Sequence, residues 1–194
     1  MTRGAQGLAR VAVVVRAGAA PLWWLGVFAV GIGVLVPGLT GRRIGVMAGA
    51  ALFLVTAAVV GGVRRKRYGE LTRGAVRAGK QDVLQDRQVT VRNWRRGHRW
   101  WLVLGFLAAL GSAFVVPAAG GLMLAGAGAG LRLKAGWIGR AEQSGDALLW
   151  VRVDWLSGRG GAPGGKRVKA YRSTGVAAGD AAPGGGRRAV AARA

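Results

Sequence analysis

Long stretches without a single charged residue constrain this chain more than any motif does. Residues 17–41, "AGAAPLWWLGVFAVGIGVLVPGLTG", and residues 44–63, "IGVMAGAALFLVTAAVVGGV", contain no Asp, Glu, Lys or Arg. About 20 apolar residues, at about 1.5 Å of helical rise each, match the roughly 30 Å hydrocarbon core of a bilayer. Each stretch therefore reads as a transmembrane helix, the first entering near Pro21-Leu22-Trp23-Trp24 and leaving at Pro37-Gly38. A third uncharged stretch, residues 100–131, is too long for one upright crossing and is broken near its middle by Pro117 and Gly120-Gly121. It is expected to form a tight helical hairpin with Arg99, Arg132 and Lys134 reaching to the headgroups. A re-entrant hairpin and a single kinked helix are the other arrangements open to it.

The charge balance points the same way. The chain carries 29 Lys and Arg against 7 Asp and Glu, a formal net charge of +22. Confined to the surface of one small soluble domain, these charges would repel one another strongly, whereas a bilayer separates apolar from cationic parts. Cations crowd residues 64–99 and the chain after Leu131, while the turns between spans hold only Arg42 and Arg43. By the rule that cationic loops stay inside, four crossings place both termini and the long loop in the cytoplasm.

The expected fold class is thus all-α integral membrane, with two transmembrane helical hairpins (four helices), a basic cytoplasmic loop and a disordered basic tail. Its parts are a basic N-terminal arm (1–16, with Arg3, Arg10 and Arg16), a first transmembrane hairpin (17–63), the loop (64–99), a second hairpin (100–135), an amphipathic interfacial segment (136–157) and the tail (158–194). Residues 8–19 read as an interfacial lead-in. The apolar run 11–15, closed by Arg16, is too short for the core of a cleaved signal peptide. Within the loop, residues 68–84 suit a helix and "RQVTVRNW" alternates like a short strand or an extended return to the membrane. "DALLWVRVDWL" is expected to lie on the membrane or to fold against the loop, and the Gly-, Ala- and Arg-rich tail offers almost nothing to pack.

Inside the spans the sequence speaks of helix packing. Gly41, Gly45 and Gly49 recur every fourth residue, and Gly126 and Gly130 repeat that spacing. Small residues at i and i+4 let helix backbones approach closely. No ionisable residue sits deep in a span, which argues against a proton relay or secondary transporter.

Signatures of enzymes are few. His98 is the sole histidine, lying among cations in "WRRGHRWW", and there is no cysteine. Neither a catalytic assignment nor a metal or other cofactor is expected. Gly74 to Lys80 matches the first seven positions of the phosphate-loop pattern, but Gln81 replaces the Mg²⁺-holding hydroxyl and no apolar strand precedes it. The match reads as coincidence in a Gly- and Arg-rich chain.

The cations themselves are the remaining candidates. Arg64-Arg65-Lys66-Arg67 follows the second span directly, and Arg92, Arg95, Arg96 and Arg99 interleave with Trp94, Trp100 and Trp101. Such clusters bind anionic lipid headgroups and fix topology. Arginine interleaved with aromatic rings also suits phosphates and bases. The cations beyond the first four exceed what orientation needs, so these eight residues are candidates for binding a polyanion.

Four apolar spans, the loop "RRKRYGELTRGAVRAGK" and a basic tail resemble the small integral membrane proteins of actinomycete conjugative plasmids, the plasmid-spread (Spd) type. That resemblance implies an oligomeric, membrane-embedded accessory of conjugative DNA transfer that contacts double-stranded DNA beside a motor ATPase. It assigns no residue a role. The expected function is therefore non-enzymatic polyanion binding at the cell membrane, by a multi-pass homo-oligomer. The alternatives are a small transporter, channel or holin-like pore, or a membrane-anchored protein adaptor.

Overall fold

The computed structural model describes residues 7–36, 38–79, 81–156, 162–178 and 180–187. Arg3, Pro37 and Lys80 lie outside them, as do residue 157 of the expected interfacial segment and residues 158–161, 179 and 188–194 of the expected tail. In chain order the elements are β1 (Gly7–Arg10), α1 (Val11–Ala17), α2 (Ala19–Leu35), α3 (Arg42–Gly62), α4 (Arg65–Arg73), β2 (Val76–Arg77), β3 (Val83–Leu84), α5 (Arg87–Ser112), α6 (Ala119–Ser144), β4 (Ala147–Arg152), α7 (Val153–Leu156) and β5 (Arg172–Gly175). They divide into two compact units. One comprises Met1–Arg16, Arg64–Asn93 and Ala135–Ala194, and the other Ala17–Val63 and Trp94–Lys134.

The first unit corrects the all-α expectation, because it is built on a five-stranded mixed sheet of order β2-β5-β4-β1-β3. The central strand β4 pairs antiparallel with both β1 and β5, and the two-residue edge strands β3 and β2 add in parallel outside them. Leu148, Leu149, Trp150 and Val151 are all buried, so "LLWV" reads as a continuous apolar run because both faces of β4 are covered. Leu8, Leu148 and Trp150 form the core, flanked by Ala78, Leu84 and Val176. The indole N–H of Trp150, the one polar atom this ring carries inside, donates to Thr174 Oγ1 at 2.8 Å.

Four regions read otherwise from sequence thus furnish this sheet: the lead-in gives β1, the loop gives β2 and β3, the interfacial segment gives β4 and the tail gives β5. The basic tail is not the disordered element expected, since Val168, Tyr171 and Ala181 are fully buried. "RQVTVRNW", expected to be extended, instead opens the 26-residue helix α5.

The second unit is helical and is packed by glycine. Along α6, a Cβ at Gly121 would meet the backbone of Ala29 and Val30 of α2, one at Gly126 the backbone of Phe53 of α3, and one at Gly120 the backbone of Ala109 of α5. The helix therefore lies against three neighbours at backbone contact, a distance only small residues permit. Its outer faces are apolar: Phe28, Leu54, Val55, Trp100, Trp101 and Leu104 are all exposed.

Among the described residues two helical stretches, Val11–Leu35 and Arg42–Arg73, are long and apolar enough to cross a membrane. This corrects the expected four membrane helices to two. The first three turns of α5 carry Arg87, Arg92, Arg95 and Arg96, and α6 spends its apolar length on glycine and alanine, so neither reaches the hydropathy of a spanning helix. Only 28% and 17% of the most apolar windows of the two long stretches are buried, far less than a helix at the core of a water-soluble protein would be.

Candidate polyanion-binding surface

Helix α5 organises the candidate surface, beginning at a pair of aspartates. Asp86 precedes its first residue and its carbonyl accepts the Thr90 N–H at 3.0 Å, while Asp180 Oδ2 accepts the Arg87 N–H at 2.6 Å. The first is the opening i→i−4 bond of the helix, whereas the Asp180 carboxyl satisfies an amide that has no partner within the helix and complements its dipole. The hydrogen bond from Asp180 holds Asp86 below the usual carboxylate range. Burial, and then the Asp86 carboxyl, push Asp180 up.

Further along, Arg92, Arg95, Arg96 and Arg99 stand at i, i+3, i+4 and i+7, and all four are exposed. That spacing puts them on one face of the helix. The stripe is about 10 Å long, roughly three phosphates of one DNA strand at about 3.4 Å of axial rise. Thr90, Trp94 and His98 take the opposite face. The Trp94 ring stacks on His98, with centroids 4.3 Å apart, and lies over Gly18, where a Cβ would come within 2.8 Å of it. Trp94 is thereby engaged in packing rather than interleaved with the arginines. Trp100 and Trp101 follow the stripe fully outside, and Arg99 lies 5.4 Å over the Trp100 ring.

The other four cations divide by role. Arg64 precedes α4 in the left-handed region, with φ of 61°, and is exposed together with Arg65 and Lys66. The Arg65 guanidinium lies 5.3 Å over Trp137. Arg67 turns inward and donates to the carbonyls of Gly165, at 3.3 Å, and Val168, at 3.2 Å, which makes it a brace for the chain after residue 161. The ion pairs among the described residues are Arg10–Glu142 and Arg152–Asp154. Among the described residues neither the stripe nor Arg64, Arg65 or Lys66 joins an ion pair.

The five glycines singled out by spacing also separate. A Cβ on Gly45 would meet Pro117, one on Gly49 Leu122, one on Gly126 Phe53 and one on Gly130 Ala57. Gly41 faces open space, and its φ of +78° at the start of α3 is the feature that calls for glycine there. Within the phosphate-loop lookalike lies β2, which pairs with β5, and the next element among the described residues is the strand β3 rather than the helix that motif requires.

Sequence reasoning missed the buried pair of Arg10 and Glu142. Glu142 Oε2 accepts from Arg10 at 3.1 Å and from the Gly184 N–H at 2.9 Å, and Oε1 accepts the Leu149 N–H at 3.2 Å. Arg10 also donates to the carbonyls of Ala181 and Ala182. One ion pair thus ties β1, α6, β4 and the tail together, and nothing in sequence marks these two charges as buried.

Compared with known protein families, with curated proteins and with solved structures, the chain matches none.

Proposed function

We propose that this protein is a membrane-anchored polyanion binder, held in the cell membrane by α2 and α3, that contacts the phosphates of double-stranded DNA through Arg92, Arg95, Arg96 and Arg99, with Arg64, Arg65 and Lys66 adding to the field. The observation that carries this reading is the stripe itself: four exposed arginines on one helix face, none of them in an ion pair among the described residues. The exposed apolar surface of the helical unit supports the membrane part, because contiguous apolar surface of this extent is covered by lipid or by protein. The chain leaves the α/β unit after Arg16 and returns at Arg64, then leaves after Asn93 and returns at Ala135. The density of Lys and Arg in residues 64–99 and after Leu131 supports a cytoplasmic position for the loop and both termini. The process that such a binder serves is conjugative DNA transfer or plasmid spread, as an oligomeric accessory of a motor ATPase, and no catalytic step is assigned to it.

The test is duplex-DNA binding to the full-length protein in zwitterionic nanodiscs over a range of salt. Changing Arg92, Arg95, Arg96 and Arg99 together to Gln is expected to reduce the slope of log K against log salt by about 3 units, at about 0.9 for each of the roughly three phosphates the stripe spans. An unchanged slope removes the stripe from the interface.

A further inference from the structure

Lys166 and Lys169 sit in a segment whose composition suggests a mobile tail, yet the segment is fixed. Two successive turns are closed by the Gly165 N–H on the Ala162 carbonyl, at 2.8 Å, and the Val168 N–H on the Gly165 carbonyl, at 3.1 Å. The Tyr171 hydroxyl donates to the Pro163 carbonyl at 2.8 Å, and Gly164 lies so close to the Tyr68 ring that a Cβ there would stand 2.5 Å from it. Arg67 braces the same turns from α4. Between α4 and this segment runs an open groove of about 440 Å³, bordered by Arg67, Glu70, Leu71, Lys166 and Lys169.

We propose that this groove is a binding site for a phosphate group, made of residues other than those of the α5 stripe. Three cations from segments about a hundred residues apart converge on it, against the single carboxylate of Glu70, which leaves it net positive. Lys166, Lys169 and Glu70 are exposed and none joins the ion pairs among the described residues. Lysine ammonium groups are compact point charges suited to phosphate oxygens. Because the turns that carry them are held by Arg67, Tyr68 and Tyr171, little backbone ordering opposes binding. The volume falls within the range of small-molecule sites, and Leu71 offers apolar surface to the organic part of a phosphate ester. Soluble phosphate esters and phospholipid headgroups share this chemistry.

Calorimetric titration of the full-length protein with inorganic pyrophosphate, in zwitterionic nanodiscs, tests the site. Saturable one-to-one binding is expected. Lys166→Gln with Lys169→Gln should weaken it about tenfold or more, the scale of losing hydrogen bonds to a charged group. Glu70→Gln should tighten it about threefold by removing a repulsion of surface magnitude. The four-arginine variant of α5 should bind pyrophosphate as the wild type does, so the outcome is separate from that of the DNA experiment. Repetition in discs containing phosphatidic acid distinguishes the sources: competition by the lipid assigns the site to a headgroup, and unchanged affinity assigns it to a soluble phosphate. No saturable binding, or equal affinity in the double-lysine variant, overturns the proposal.

Discussion

Removing one partner of the Arg10–Glu142 pair should unfold the α/β unit more readily than any comparable surface change. Both side chains are almost fully buried, at 1% and 0% exposure, so the charge left behind has neither water nor a counterion. Breaking such a pair costs about 3–5 kcal/mol, a large share of the roughly 5–15 kcal/mol that holds a domain folded. Glu142→Gln is the sharper variant because it preserves shape: the amide can accept from one of Leu149 N–H, Gly184 N–H or Arg10, but its own NH₂ then faces donors. Replacing both residues, Arg10→Met with Glu142→Leu, eliminates the stranded charge. It still leaves the N–H groups of Leu149 and Gly184 and the carbonyls of Ala181 and Ala182 without these partners, at about 1–3 kcal/mol for each that stays buried and unpaired. Measured against the sum of the Arg10→Met and Glu142→Leu changes alone, the double variant should be spared the stranded charge, a coupling of about 3 kcal/mol. Hydrogen exchange of peptides covering 147–152 and 181–187, combined with denaturant titration in nanodiscs, measures it. Additive single effects, or exchange at Leu149 and Gly184 that does not change in Glu142→Gln, would refute the reasoning.

Four further outcomes follow from the geometry. Gly126→Ala places a methyl 2.5 Å from the Phe53 carbonyl oxygen, and Gly121→Ala one 2.6 Å from the Val30 nitrogen; each should destabilise the helical unit by about 1–3 kcal/mol in detergent thermal melts. Gly31→Ala and Gly111→Ala, with nothing within 4 Å, should be neutral or stabilising by up to about 1 kcal/mol. Asp180 has its pKa raised in the fold, so its contribution is complete at low pH and lost as pH rises through the raised value. Asp86 has its pKa lowered, so its contribution is present above the ordinary carboxylate value and lost as pH falls through the lowered one. Docking of residues 180–187 is accordingly firmest in mild acid, and Asp180→Asn should remove the loss on the alkaline side. The effect is less than about 1 kcal/mol for such partly exposed groups, read as hydrogen exchange against pH. Arg67→Ala should free the turns at 162–168 and speed tryptic cleavage after Lys166 and Lys169, whereas Arg64→Ala, at an exposed position, should leave cleavage unchanged.

The long apolar helices were legible because an uninterrupted run of that length has one economical home: α2 falls inside the first charge-free stretch, and α3 covers nearly all of the second, starting two residues before it at Arg42. The sheet was not legible. β2 and β3 are two residues each and pair with strands far away in sequence, so neither has a period to detect. β4 could be seen only as an apolar run, which periodicity alone cannot assign to strand, helix or membrane surface. The tail misled because few of its residues are apolar, yet Val168, Tyr171 and Ala181 suffice to anchor it once Arg67, Arg10 and Glu142 satisfy its backbone. The arginines of α5 were identified one by one, but their common face depended on recognising "RQVTVRNW" as helix. Its alternation of Val89 and Val91 with polar residues pointed to a strand, and the cap at Asp86 and Asp180 was out of view.

Reactivity of a single thiol at position 96 tests the central claim most directly, since the natural chain has no cysteine. With Arg96→Cys in inside-out membrane vesicles, an impermeant maleimide should label the protein, and duplex DNA should slow that labelling at low salt but not at high salt. A thiol that labels only from the outer face, or at a rate DNA leaves unchanged at every salt concentration, would contradict a cytoplasmic polyanion-binding stripe on α5.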